Sequence, residues 1–150
     1  MNYAAETGTN LNGLQQLQAL MAKDRRPPGI GQSLDFTLVE IAEGRAVFEG
    51  TPGLHAYNPI GTIHGGYAAT LLDSACGCAV HSCLAADQAY TTLELKIAYH
   101  KAMTKETGPV RAEGRIVTLG RRAAFAEAKL IDAEGRLYAS ATSTLLVMSR

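Results

Sequence analysis

The chain has 150 residues, 47% of them hydrophobic and 19% charged, an ordinary globular composition that argues against disorder and gives one domain enough chain for a core of its own. Fourteen Lys and Arg balance 14 Asp and Glu, so no long-range basic field exists to gather nucleic acid or an anionic membrane. The three cysteines, Cys76, Cys78 and Cys83, lie in one apolar run; their odd number argues against a disulfide framework and reads as small buried hydrophobes.

His81 stands among those cysteines without a second ligand cluster to answer it, so neither a metal nor a cofactor is expected. No basic region followed by an apolar run opens the chain. The longest apolar stretch, Ile63 to Ala86, carries His64, Asp73 and His81 and is a poor membrane span. The expectation is a cytoplasmic protein.

The first ten residues read as frayed. Asn12, with Gln15 three positions on, is a helix-capping signal, and Leu14, Leu17, Leu20 and Met21 recur at helical spacing through about Lys23. Pro27-Pro28-Gly29 ends this helix, so residues 1–28 form an N-terminal extension lying on the main body. Leu34, Phe36 and Leu38 alternate in one strand, Ala46 and Phe48 in the next, with a hairpin turn at Glu43-Gly44. A loop rich in Gly and Pro runs from Pro52 to Ile63.

His64 to about Leu84 reads as one long helix, apolar nearly all round, which must be wrapped on most sides. Leu93, Leu95, Ile97 and Tyr99 alternate with Thr92, Glu94, Lys96 and Ala98 in the strand that follows. Three more strands are expected at Val110–Leu119, Arg122–Ile131 and Leu137–Val147, the last two joined by a turn at Asp132–Gly135. The fold class is α+β: a curved antiparallel sheet of five to six strands wrapped around one long central helix, plus a short N-terminal helix. No internal repeat or linker interrupts it, so residues 1–150 are expected to form a single domain.

Asp73 is the most informative residue. It sits within the apolar helix beside Leu71, Leu72 and Ala75, where an unpartnered carboxylate is costly. Taken alone it reads equally as part of a narrow polar stripe with Thr70, Ser74 and Gly77. Gly65-Gly66 lies where the helix begins, and the first N–H groups of a helix have no internal partner and carry partial positive charge. Such a tip can hold a carbonyl oxygen that becomes negative during acyl transfer. On its own the glycine pair reads equally as a tightly packed loop-to-helix junction.

Together, Asn58, Gly61-Thr62-Ile63-His64-Gly65-Gly66 and Asp73 closely resemble the active-site segment of the PaaI-like acyl-CoA thioesterases, of the hotdog fold. The strand Thr91-Thr92-Leu93-Glu94-Leu95-Lys96-Ile97-Ala98-Tyr99 is similar to the one after the helix in that family, and the likeness runs from Gly29 to Met148. The resemblance implies hydrolysis of acyl-CoA to free acid and CoA without a cofactor. It makes Asp73 the catalytic carboxylate, as general base or nucleophile, and the Gly65 N–H the donor to the thioester carbonyl. It gives Asn58 to the orientation of water, Thr92 to a polar contact, and His64 to bracing the site by hydrogen bonding; a water-orienting or purely structural His64 stays open. It also implies a homodimer with shared sites, Asp73 of one subunit facing Asn58 and Gly65 of the other, and a homotetramer is common among relatives.

For the phosphates of CoA, Gly66 and the Gly120-Arg121-Arg122 junction are the proposed contacts, with Arg136, Lys101 and Lys105 as weaker ones. The arginine pair reads equally as a solvated turn. Two other functions fit the same fold: a non-catalytic acyl-CoA-binding module, and a hydratase or dehydratase.

Overall fold

The computed structural model describes residues 10–23 and 28–150; the expected fraying of the chain start falls on residues 1–9, outside them. Helix α1 (Gly13–Met21) begins with a full capping box. Asn12 Oδ1 accepts from the Gln15 N–H at 2.9 Å while Gln15 Oε1 accepts from the Asn12 N–H at 3.0 Å. The helix stops two residues short of Lys23. The Gly13 N–H donates to the Leu84 carbonyl at 2.9 Å, which pins α1 to the end of the central helix.

A one-turn helix α2 (Ile30–Ser33) then leads into β1 (Phe36–Ala42) and β2 (Arg45–Gly50). The sequence pattern places Leu34 in the first strand, but it caps α2 instead. Gly44 turns the hairpin with a φ of 73°, a left-handed conformation that glycine adopts without steric cost. The central helix α3 (Gly65–His81) is followed by β3 (Gln88–Tyr99), β4 (Val110–Leu119), β5 (Ala123–Asp132) and β6 (Leu137–Ser149).

The strands form one six-stranded sheet in the order β1-β2-β4-β5-β6-β3, antiparallel at every pairing. Its concave face holds α3. Leu71, Leu72, Ala75, Cys76 and Ala79 are fully buried against it, the alanines allowing close approach. Gly114 in β4 lies so near the Ala75 backbone that a side chain there would collide with the helix. α3 exposes a stripe that includes Gly66, Thr70, Asp73 and Ser74 and is at most half-buried.

β3 departs from simple alternation. A bulge between Thr92 and Glu94 takes Leu93 out of the pattern, so Leu93 is 61% exposed whereas Leu95 and Ile97 are half-buried. As the last strand in the sheet, β3 also presents an unpaired edge. Among the described residues, no helix is long and apolar enough to cross a membrane.

Candidate active site

The loop before α3 is fastened on both sides. Tyr57 bridges to Ile63, the Ile63 N–H donates to the Met103 carbonyl at 2.9 Å, and the His64 N–H donates to the Ala56 carbonyl at 2.7 Å. Within the loop, Asn58 Oδ1 accepts from the N–H groups of Ile60 and Thr62, both at 3.1 Å, and its Nδ2 donates to Thr62 Oγ1 at 2.9 Å. Asn58 therefore shapes the loop that delivers the glycine pair.

His64 is the N-cap of α3. Its Nδ1 accepts from the Gly66 N–H at 2.8 Å, which requires the neutral ring with its proton on Nε2. The Gly66 N–H is thus engaged, whereas no acceptor for the Gly65 N–H lies among the described residues. Tyr99, at the end of β3, donates its hydroxyl to the Gly65 carbonyl at 2.9 Å. A side chain at residue 65 would press on the Tyr99 ring, so glycine is what lets the two meet. A cavity of about 480 Å3 opens here, lined by Gly65, Gly66, Tyr99, His100, Lys101 and Met103 among others.

Asp73 lies farther along the stripe, half-buried, with Thr92 Oγ1 donating to its Oδ1 at 3.1 Å. Its surroundings resist ionisation. Burial first, and then the charge of Asp73, push the Cys76 and Cys78 thiols up to about 12, Glu127 adding to the effect at Cys76. Burial chiefly, with Cys78 and Asp73 behind it, pushes the Tyr90 hydroxyl up as well. The carboxylate of Asp73 therefore has no competing thiolate beside it.

Eight residues of α-helix separate Gly65 from Asp73, about 12 Å at 1.5 Å per residue. Within one chain, Asp73 and Gly65 therefore do not converge on one carbonyl. The Arg121-Arg122 turn is exposed and closed by the Gly120 N–H donating to the Ala123 carbonyl at 2.8 Å. It sits where β3 begins, since Ala123 pairs with Leu146 and Leu146 with Thr91. Arg136 is engaged by Asp132 and Glu134, and Lys105 lies 3.8 Å from Glu106. Lys101, by contrast, lines the Gly65 cavity.

The sequence motif overlaps the segment matched by the model of the thioesterase superfamily, residues 60–139. The chain belongs to the thioesterase superfamily. Solved structures agree. A thioesterase family protein from Silicibacter pomeroyi is 25% identical with a TM-score of 0.79, over 93% of this chain and 100% of that one. A mutant of the phenylacetic acid degradation protein PaaI from Thermus thermophilus is 27% identical, TM-score 0.70, over 77% of this chain and 96% of its own. The PaaI protein of the Escherichia coli phenylacetic acid degradation operon is 18% identical, TM-score 0.72, over 79% and 82%, and shares the fold. A sequence search of curated proteins finds no match.

The six-stranded sheet around α3 is the hotdog arrangement expected from the sequence. Tyr99 and His100 beside the helix tip were not singled out by sequence reasoning. Their one signal was position: Tyr99 ends the strand that carries Thr92, and His100 follows it.

Proposed function

We propose that this thioesterase-superfamily protein hydrolyses acyl-CoA, and that the carrying observation is Asp73, a half-buried carboxylate set mid-helix and held by the Thr92 hydroxyl. In the general-base route, Asp73 takes a proton from water as the water oxygen bonds to the thioester carbon. The carbonyl oxygen becomes negative and is met by the Gly65 N–H. Collapse breaks the carbon–sulfur bond, and the departing CoA thiolate takes the proton from Asp73. In the nucleophilic route, an Asp73 oxygen bonds to the thioester carbon as the carbon–sulfur bond breaks and CoA thiolate leaves; water then hydrolyses the mixed anhydride to the free acid and the Asp73 carboxylate, and a proton released in that step goes to the thiolate.

The 12 Å gap within one chain supports a site built from two copies. β3 offers the edge for this, since a long unpaired strand seeks a partner. Residues opposite one another in an antiparallel pair point to the same face. Tyr99 touches Gly65 and Thr92 touches Asp73, so a two-fold axis that exchanges them passes near residue 95 or 96. An axis at Lys96 sets like charges opposite; an axis at Leu95 sets Leu95 against its copy and Glu94 against Lys96 of the other chain. The second register is the favourable one. Counted through the bulge at Leu93, it puts the second copy's Tyr99, and with it that copy's Gly65, beside Tyr90, on the same face as the Thr92 that holds Asp73.

The same register bears on CoA. The row of paired residues continues from Tyr90 to Val147 and on to Arg122, whose carbonyl accepts from the Val147 N–H, three strand spacings, or about 15 Å, from the second copy's Tyr99. Arg121 and Arg122 of one subunit thus approach the Gly65 cavity of the other, where Lys101 adds a further cation for the phosphates. Gly66 contributes less through its backbone, because His64 already holds its N–H.

The test is thiol release from a panel of acyl-CoAs, read with a chromogenic thiol reagent. Wild-type turnover that falls at least about a hundredfold in Asp73→Asn is the expected outcome. Unchanged turnover in that variant would remove Asp73 from the mechanism. Tight acyl-CoA binding without thiol release would make the protein a binding module, and hydration of an enoyl-CoA would make it a hydratase.

A further inference from the structure

The two peptide units that open α3 join His64 to Gly65 and Gly65 to Gly66, and between them they present two carbonyls and two N–H groups. Three of these groups are held. The His64 carbonyl accepts from the Tyr67 N–H at 3.0 Å, the Gly66 N–H donates to His64 Nδ1 at 2.8 Å, and the Gly65 carbonyl accepts from the Tyr99 hydroxyl at 2.9 Å. The remaining group, the Gly65 N–H, has no acceptor among the described residues. Two of the three holds come from the turn itself. The third arrives from β3, 34 residues along the chain.

The fold does not require the Tyr99 bond. A helix satisfies its early carbonyls through N–H groups four residues on, and Tyr99 is 56% exposed, where a hydrogen bond adds little to stability. Yet the sequence clears room for it. A Cβ at Gly65 would lie 3.0 Å from the Tyr99 hydroxyl, and one at Gly66 would lie 2.8 Å from His64 Nδ1. Two adjacent glycines leave the backbone of the tip free to pivot. The direction of the Gly65 N–H is therefore set by the bonds to the other three groups.

We propose that Tyr99 is a positioning residue for the reaction: by holding the Gly65 carbonyl it locks the pivot at Gly65, so that the Gly65 N–H stays aimed at the thioester carbonyl. The inference rests on the thioesterase reading above and adds a residue to its site. A donor to a developing oxyanion is effective because it is already in place when the charge appears, and a misplacement of about 1 Å can cost about a hundredfold in rate. Tyr99 is firmly mounted for this task. Its backbone pairs with Ala139 of β6, and the next N–H, of His100, donates to the Tyr138 carbonyl at 2.8 Å. The ring thus stands on the sheet and not on a loop. The same strand carries Thr92, which holds Asp73, so β3 orients the carboxylate through one hydroxyl and the amide tip through another.

The experiment uses the full chain and the ketone analogue of an acyl-CoA, in which a methylene replaces the thioester sulfur so that the bound carbonyl survives. Its stretching band, read by isotope-edited infrared difference spectroscopy, should move to lower frequency on binding the wild type, because a donated N–H weakens the carbon–oxygen double bond. Tyr99→Phe should reverse about half of that shift or more and lower kcat on the matching thioester about tenfold, with KM and the thermal midpoint close to those of the wild type. Tyr99→Leu, which removes the ring as well, should do at least as much and guards against one variant failing to fold. A Tyr99 that serves only the structure would lower the midpoint and leave the band unmoved. That result, or a wild-type complex whose band does not shift, overturns the proposal. The two readings fail separately. A shift that depends on Tyr99, with no thiol release from any thioester, leaves the positioning role standing and removes the hydrolase, whereas thiol release with kcat and band unchanged in Tyr99→Phe does the reverse.

Discussion

Removing the Thr92 hydroxyl frees the Asp73 carboxylate from the donor that orients it, without altering its burial or its neighbours. Thr92→Val keeps the β-branched shape that suits a strand, so the fold should be retained. We expect kcat to fall about tenfold with KM nearly unchanged, as when an interaction serves the transition state more than the bound substrate; steady-state kinetics on the best acyl-CoA will check it, and an unaltered kcat would reduce Thr92 to a packing contact. At this scale the sequence was informative about residue types and silent about partners. An Asp in an apolar helix and a glycine pair at its start were visible as anomalies. That Asn58 spends its amide on its own loop, and that His64 takes the Gly66 N–H, depend on the path of residues 57–66. Local turn geometry of that kind follows from contacts with Ala56 and Met103, which no spacing rule encodes.

Individual elements were legible where periodicity ran long. β4 spans the expected residues, β5 is shifted by one, β6 starts as expected and runs two residues longer, and the capping box of α1 is where Asn12 and Gln15 placed it. α2 was missed because a single turn has no period to detect, and the β3 bulge because alternation assumes an unbroken register. Two predictions belong here. A Cβ at Gly13 would run into the His81 carbonyl, so Gly13→Ala must lift α1 from the end of α3. It should lower the thermal midpoint and speed proteolytic cleavage near residues 10–23, while the sheet's circular dichroism persists. The β5–β6 hairpin is held by Asp132. Burial raises its carboxyl, but the Arg136 guanidinium, the backbone N–H groups of Arg136 and Glu134 and the Tyr138 hydroxyl outweigh that and hold it at about 2 against an ordinary 3.8. A depressed carboxyl stabilises the fold above its unfolded value and loses that contribution as pH falls toward its folded value. Asp132→Asn should therefore unfold at lower denaturant than wild type at neutral pH, and the gap should close between pH 3.8 and about 2; a gap that persists at pH 2 would mean the loss is steric.

For the whole molecule, the unpaired rail of β3 and the separation of Gly65 from Asp73 pose one problem, and the proposed second copy joined along that strand answers both parts of it. The register with its two-fold at Leu95 makes a prediction that other registers do not. Glu94 and Lys96, both exposed, would face each other across the junction twice by symmetry. Lys96→Glu replaces both attractive pairs with repulsive ones and should weaken the dimer at least about tenfold, each cross-strand pair being worth under about 1 kcal/mol. The double exchange, E94K with K96E, rebuilds the same pairs with reversed polarity and should restore wild-type association in sedimentation. Because Asp73 of one chain would act on a thioester polarised by Gly65 of the other, thiol release should fall and recover with the dimer. Were the double exchange as weak as the single, or activity indifferent to dissociation, the strands would pair in another register or the site would lie within one chain.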